Sequence, residues 1–190
     1  MGRVIIGAAA AAVAMFIIGF VFYATPLARL AYGSLDNAQA AAVQQSLAAS
    51  LPSTGTYSVP GVDTAEKTVM YGQGPIATVH YNSAGFAPMD PASLVGGLVF
   101  YFVVALLIGL TLVGIADRVL DFSSRARLVV IFSVAASAFM HLSEPIFYHH
   151  GWGHFIYLFI ADAAMLAAGG LIIARWFLGG VRTEANRAQV

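Results

Sequence analysis

Cysteine is absent from the chain, so disulfides and thiolate-held metal centres are excluded. Charge is scarce as well. Asp, Glu, Lys and Arg make up 9 % of the residues, against about 25 % in a soluble globular domain. The nine bases balance the nine acids, which leaves no net field to attract nucleic acid. No HExxH zinc motif, no phosphate loop with its lysine and no nucleophile elbow is present, and GQGP lacks the Walker spacing. Ser133 and Ser137 lie mid-helix without nearby oxyanion donors, so acyl transfer has no constellation to work from. What the chain does have is apolar surface: 59 % of its residues are hydrophobic and the mean hydropathy is +0.81.

That surface is gathered into four runs. They cover residues 4–24, 93–115, 128–148 and 152–175, and each is long enough to cross a bilayer as a helix, which takes roughly 20 residues. The first exceeds the 7–15 apolar residues typical of a signal peptide and is followed at once by Pro26, so it reads as a retained anchor. Basic residues set the orientation. Arg3, Arg118, Arg125, Arg127, Arg175, Arg182 and Arg187 flank one set of helix ends, whereas the 25–92 segment holds only Arg29 and Lys67. The positive-inside rule then places both termini, the 116–127 loop and the 176–190 tail in the cytoplasm, and the 25–92 segment and the 149–151 turn outside.

The outward segment reads as a helix followed by a small sheet. Ser34 is the expected N-cap of LDNAQAAAVQQSLAASL, and Pro52 ends that helix. GTYSVPG, TVMYGQG and PIATVHYN read as short strands, two or three of which pair, with His80 a partly exposed strand residue. The pattern PSTGTYSVPG, then Glu66-Lys67, then GQGPIATVHYNSAGFAPMDP resembles a family of uncharacterised bacterial inner-membrane proteins. In that family an outward PxxGxYxxPG…GPxAxVxY…PMxP segment follows a first helix. The resemblance covers about the first hundred residues and implies topology and an inner-membrane location. It assigns no activity and says nothing of the third and fourth helices.

Four of the five histidines fall in HLSEPIFYHHGWGHFIYLFIAD, residues 141–162. Ser133, Ser137, His141, Glu144 and Tyr148 recur at helical spacing on one face of the third helix, and Val130, Phe132, Val134, Phe139, Met140 and Leu142 occupy the other. His154, Leu158, Asp162, Met165 and Gly169 make a matching stripe on the fourth. A short turn makes the two helices antiparallel neighbours. Asp162 lies about 12 Å along its helix from His154, and His141 about 10 Å from Tyr148. His141 is therefore expected beside Asp162, and Glu144 beside His154. Pro145 should kink the third helix by freeing the His141 carbonyl.

An acid in hydrocarbon costs about 2.5–3.5 kcal/mol at a helix centre, so these carboxylates must face the bundle interior and find partners. Three uses of the cluster His141, Glu144, His149, His150, His154 and Asp162 stand open. It can be polar glue between helices. It can be a metal or haem site, with Glu144, His149, His150 and His154 as candidate ligands. It can be a proton or ion path from Glu144 through His141 to Asp162.

The expected fold is a four-transmembrane-helix bundle with a small outward α+β insertion between the first two helices. The expected role is non-enzymatic, as an accessory subunit of a larger membrane complex, without a cofactor. Its partners are then the bilayer, other membrane subunits or a second copy. The alternative is a metal- or haem-binding redox protein, or a proton- or ion-conducting one.

Overall fold

The computed structural model describes residues 2–178. Arg182, Arg187 and most of the expected tail lie outside the described residues. In chain order the elements are α1 (Gly2–Ala24), a 3-10 turn (Pro26–Ala31), α2 (Asn37–Ser50), β1 (Gly55–Val59), α3 (Ala65–Gln73), β2 (Ala77–Tyr81), α4 (Pro91–Gly114), α5 (Phe122–His141), α6 (Ser143–Phe147) and α7 (Trp152–Ile172), which runs on into a π-helical turn (Ile173–Phe177). The chain forms two compact units, Ser34–Asp90 and the remainder.

The larger unit is a helical bundle. Among the described residues four stretches are long and apolar enough to cross a membrane: Gly2–Ala24, Pro91–Gly114, Phe122–Phe147 and Trp152–Phe177. α1 packs on both α4 and α7, and α5 packs on α7, so the order across the bundle is α4–α1–α7–α5. α4 and α5 are consecutive in the chain yet scarcely meet.

Small residues explain the close approach of the two central helices. α1 buries Val4, Gly7, Ala8, Ala11, Ala12, Met15 and Gly19, a stripe at helical spacing. A Cβ on Gly169 of α7 would stand 2.7 Å from Met15 Sδ, and one on Gly7 would stand 2.8 Å from Phe177 Cγ. At either position a Cβ forces its neighbour to shift, so glycine lets the helices approach closely, as in the small-residue helix interfaces of membrane bundles. On α5 the expected division holds except at Leu142, which is half-buried where the helix ends. Ser133 and Ser137 are buried, while Phe132 and Phe139 are 70 % and 84 % exposed.

α5 begins at Phe122, not at 128, so the expected 116–127 loop is shorter than the sequence suggested. The reason is a cap. Asp121 Oδ1 accepts the Ser124 amide at 2.8 Å, and Arg125, inside the helix, is buried. Its guanidinium donates to Val119 O at 2.7 Å and Ala116 O at 3.3 Å, which ties down the incoming loop. The Ser124 N–H holds the Asp121 carboxyl below its usual value of 3.8. A depressed carboxyl stabilises the fold above its unfolded pKa and loses that effect as pH falls through the folded value. Amide exchange at Ser124, corrected for its intrinsic rate, should therefore rise on acidification below about pH 4. Asp121→Ala should abolish this step and expose the amide at neutral pH.

Near the expected kink at Pro145 the helix is interrupted at a single residue, Leu142, which keeps near-helical dihedrals (φ −82°, ψ −7°). α5 ends at His141, Leu142 amide bonds back to Ala138 O, and the one-turn helix α6 carries Glu144 and Pro145 before His149 takes a positive φ of 55°. α7 then starts at Trp152.

In the smaller unit two expectations are corrected. The N-cap of α2 is Asp36 and not Ser34, because Gln39 completes a capping box: Asp36 Oδ1 accepts from Gln39 N at 2.8 Å, and Gln39 Oε1 accepts from Asp36 N at 3.1 Å. The TVMYGQG run is helix α3 instead of a strand. Thr64 caps it, the Lys67 amide donating to Thr64 Oγ1 at 3.2 Å, and Lys67 Nζ pairs with Asp63 at 2.9 Å. The sheet has two antiparallel strands, with Gly55 opposite Tyr81 and Val59 opposite Ala77. His80 is exposed on β2, with Nδ1 3.1 Å from Thr56 Oγ1. No residue of 34–90 is buried.

Candidate functional site

The histidines of the bundle, with Glu144 and Asp162, collect at the end away from Arg3, Arg118 and Arg125, in three tiers. The deepest joins three helices. Asp162 projects from α7 with Ala161 and Met165 buried on either side of it. Its Oδ1 accepts from Tyr23 Oη, on the last turn of α1, at 2.8 Å. Its Oδ2 lies 2.7 Å from Nε2 of His141, the last residue of α5. A carboxylate can only accept, so His141 presents Nε2–H, and both oxygens of Asp162 are occupied. The side chains of His141 and Asp162 are 14 % and 20 % exposed. Tyr101 of α4 reaches the neighbouring turn: a Cβ on Gly19 would stand 2.9 Å from both its hydroxyl and Met165 Sδ.

The second tier fastens the end of α1 and the 3-10 turn to α7. Tyr157 donates its hydroxyl to Phe22 O at 2.6 Å. His154 Nδ1 stands 2.8 Å from Ala31 O, and because a carbonyl cannot donate, Nδ1 carries the hydrogen. The Tyr32 ring covers His154, centroids 5.2 Å apart. Without these bonds the carbonyls of Phe22 and Ala31, at the ends of their helices, would lack a helical partner.

The third tier is looser. His150 lies between the rings of Tyr148 and Phe155, each centroid 5.7 Å away, and its Nδ1 is 3.6 Å from a Glu144 oxygen. Glu144 is 41 % exposed, which leaves this a screened contact of small worth. His149 is exposed.

The expected His141–Asp162 contact is therefore present, whereas the expected Glu144–His154 pair is not formed. The α5 break at Leu142 carries Glu144 onto its own short helix, and the Ala31 carbonyl takes the nitrogen that Glu144 was expected to meet. The candidate ligands Glu144, His149, His150 and His154 do not converge, since His154 turns to the 3-10 turn and His149 to the surface. Among the described residues no three His, Asp or Glu side chains are grouped to hold a metal ion. Beneath His141, one helical turn along α5, Ser137 Oγ is buried with no hydrogen-bond partner among the described residues.

Sequence reasoning missed Tyr23 and the Ala31 carbonyl. Tyr23 was findable: it continues the buried stripe Met15, Gly19 at steps of four. The Ala31 carbonyl carries no sequence signal, because any residue there would supply the same atom.

No family model matches the chain, and no curated protein or solved structure is significantly similar to it. The resemblance of the 52–90 pattern thus rests on that pattern alone.

Proposed function

We propose that this chain is a non-enzymatic, four-span protein of the bacterial inner membrane that serves as an accessory subunit of a larger membrane complex. Its termini face the cytoplasm and the Ser34–Asp90 unit faces outward. The observation that carries the non-enzymatic reading is the use made of Asp162. Its two oxygens are spent on Tyr23 and His141, so the one deep carboxylate holds α1, α5 and α7 together and offers no open acid or base. His154 is likewise spent on the chain's own backbone. These are helix-to-helix hydrogen bonds of the kind that specify a membrane bundle.

The accessory role draws on the outward unit. It has no buried residue, yet it exposes Phe86 at 71 %, Val62 at 63 % and Val69 at 60 %. A segment of that size gains little stability without a core, so its apolar residues are suited to contact with another subunit. The orientation draws on the arginines. Arg3, Arg118, Arg125, Arg127 and Arg175 belong to one end of the bundle, where Val4 packs on Gly109 and Arg175 lies 5.6 Å over the Phe122 ring.

Two measurements test this. Cysteines placed at Ser53 and Ser123 should label from opposite sides of the membrane in intact cells and inverted vesicles; labelling of both from one side would sink the topology. Extracted in mild detergent from its native membrane, the chain should migrate on a native gel well above the size of the purified protein. Migration at the size of the isolated chain would remove the accessory reading.

A further inference from the structure

Because α4 and α5 each pack on a different central helix, a groove remains between them. It holds about 320 Å³, the lower end of the range for small-molecule sites. Leu107, Thr111 and Ile115 of α4 form one wall, Leu128, Phe132 and Ala136 of α5 the other, and Leu166 of α7 the floor. Thr111 turns its hydroxyl back to Leu107 O at 2.9 Å, which leaves its methyl to the groove wall.

Length identifies the occupant. From Leu107 to Ile115, and again from Leu128 to Ala136, the walls run about 12 Å. One leaflet of a bilayer's hydrocarbon core is about 15 Å deep, whereas a spanning helix needs the full ~30 Å. The groove therefore matches a single acyl chain and falls short of a partner helix. Charge identifies the headgroup. The groove occupies the arginine half of the bundle. Arg118 lies in the loop just past Ile115, and Arg127 adjoins Leu128; both are exposed and neither has an ion-pair partner among the described residues. Of the acids in that loop, Asp121 is engaged by the Ser124 amide and Asp117 is exposed. Arg125, 6 % exposed, is engaged by the loop carbonyls and fixes the loop at this end.

We propose that this groove binds one acyl chain of an anionic phospholipid, whose phosphate is met by Arg118 and Arg127. The inference rests on the membrane reading above and adds to it a ligand of defined chemistry.

The test uses the full chain in phosphatidylcholine vesicles carrying spin-labelled phosphatidylglycerol or spin-labelled phosphatidylcholine. Resistance of the protein to alkaline extraction is checked first; extraction would overturn the membrane reading and the lipid site with it. In inserted protein the motionally restricted fraction should favour the anionic label, by about fivefold for each arginine engaged. Arg118→Gln with Arg127→Gln should bring the two labels to parity while keeping the restricted component. Ala136→Phe, which fills the groove, should remove about one restricted lipid per chain with either label. Ser133→Leu fills the same wall and serves if Ala136→Phe loses its helical spectrum. Equal restriction of both labels by the native chain, or an unchanged restricted fraction in the filled variants, would overturn the site. So would loss of a cross-linked dimer in the filled variants, which would show that a second copy occupies the groove.

Discussion

Asp162→Ala should destabilise the bundle by about 3 kcal/mol, the largest effect expected of any single side-chain truncation here. The substitution leaves His141 Nε2 without its acceptor in a site where both partners were largely sheltered, and it also strands the Tyr23 hydroxyl. His141→Ala should cost less, about 1–2 kcal/mol, because Asp162 keeps its bond from Tyr23. Tyr23→Phe should fall nearer the average of about 0.6 kcal/mol for a hydrogen bond between membrane helices. Asp162→Asn discriminates further: its oxygen can accept from His141 while its NH2 donates to the Tyr23 hydroxyl, so it keeps the geometry without the charge and should cost less than Asp162→Ala. Reversible unfolding in mixed micelles measures all four. A double-mutant cycle on Tyr23 and His141 then reports whether they couple through the shared carboxylate. If Asp162→Ala shifted stability by less than about 0.5 kcal/mol, the carboxylate would not be what holds these helices.

The same cluster shows where sequence reasoning reaches and where it stops. Asp162 and His141 were placed together by two rules that act locally, helical rise and the short turn, and both apply to the parts of α5 and α7 that are regular. Glu144 was misplaced because those rules assume that the helix continues. Pro145 removes one backbone donor, and the helix is interrupted at Leu142 before the short turn Ser143–Phe147 that carries Glu144, so a regular extrapolation from α5 does not place that residue. His154 was misassigned for a different reason. Its partner is a backbone carbonyl 123 residues away in sequence, on a 3-10 turn that forms because Thr25 caps it, Thr25 Oγ1 accepting the Leu27 amide at 3.2 Å. The α3 error was avoidable: Thr64 followed by Ala-Glu-Lys is a helix start, and the β-rich look of TVMY obscured it. The four apolar stretches were legible because length and composition alone define them. Their lateral order, α4–α1–α7–α5, was not, since it depends on which small faces meet.

Gly170 is where that order can be tested, and Gly170→Ala should destabilise the protein by about 1–3 kcal/mol. The new methyl would stand 2.6 Å from Val129 Cγ1 and 3.2 Å from its Cγ2, with Ile108 Cγ2 at 3.5 Å. Valine on a helix is held to one rotamer, so it cannot swing aside and α5 itself must move. Gly169→Ala makes an instructive contrast. Its methyl would meet Met15 Sδ at 2.7 Å, the end of a flexible chain that can repack. There the gain of about 1 kcal/mol in helix propensity from glycine to alanine should offset the crowding and leave the variant near neutral. The decisive measurement combines Gly170→Ala with Val129→Ala. With the valine methyls gone the clash disappears and only the propensity gain remains, so Gly170→Ala should become stabilising in that background. A change of sign demonstrates that α5 packs against α7 at this level. If Gly170→Ala were equally harmful in both backgrounds, Val129 would not be its neighbour, and the lateral order of the four helices would have to be redrawn.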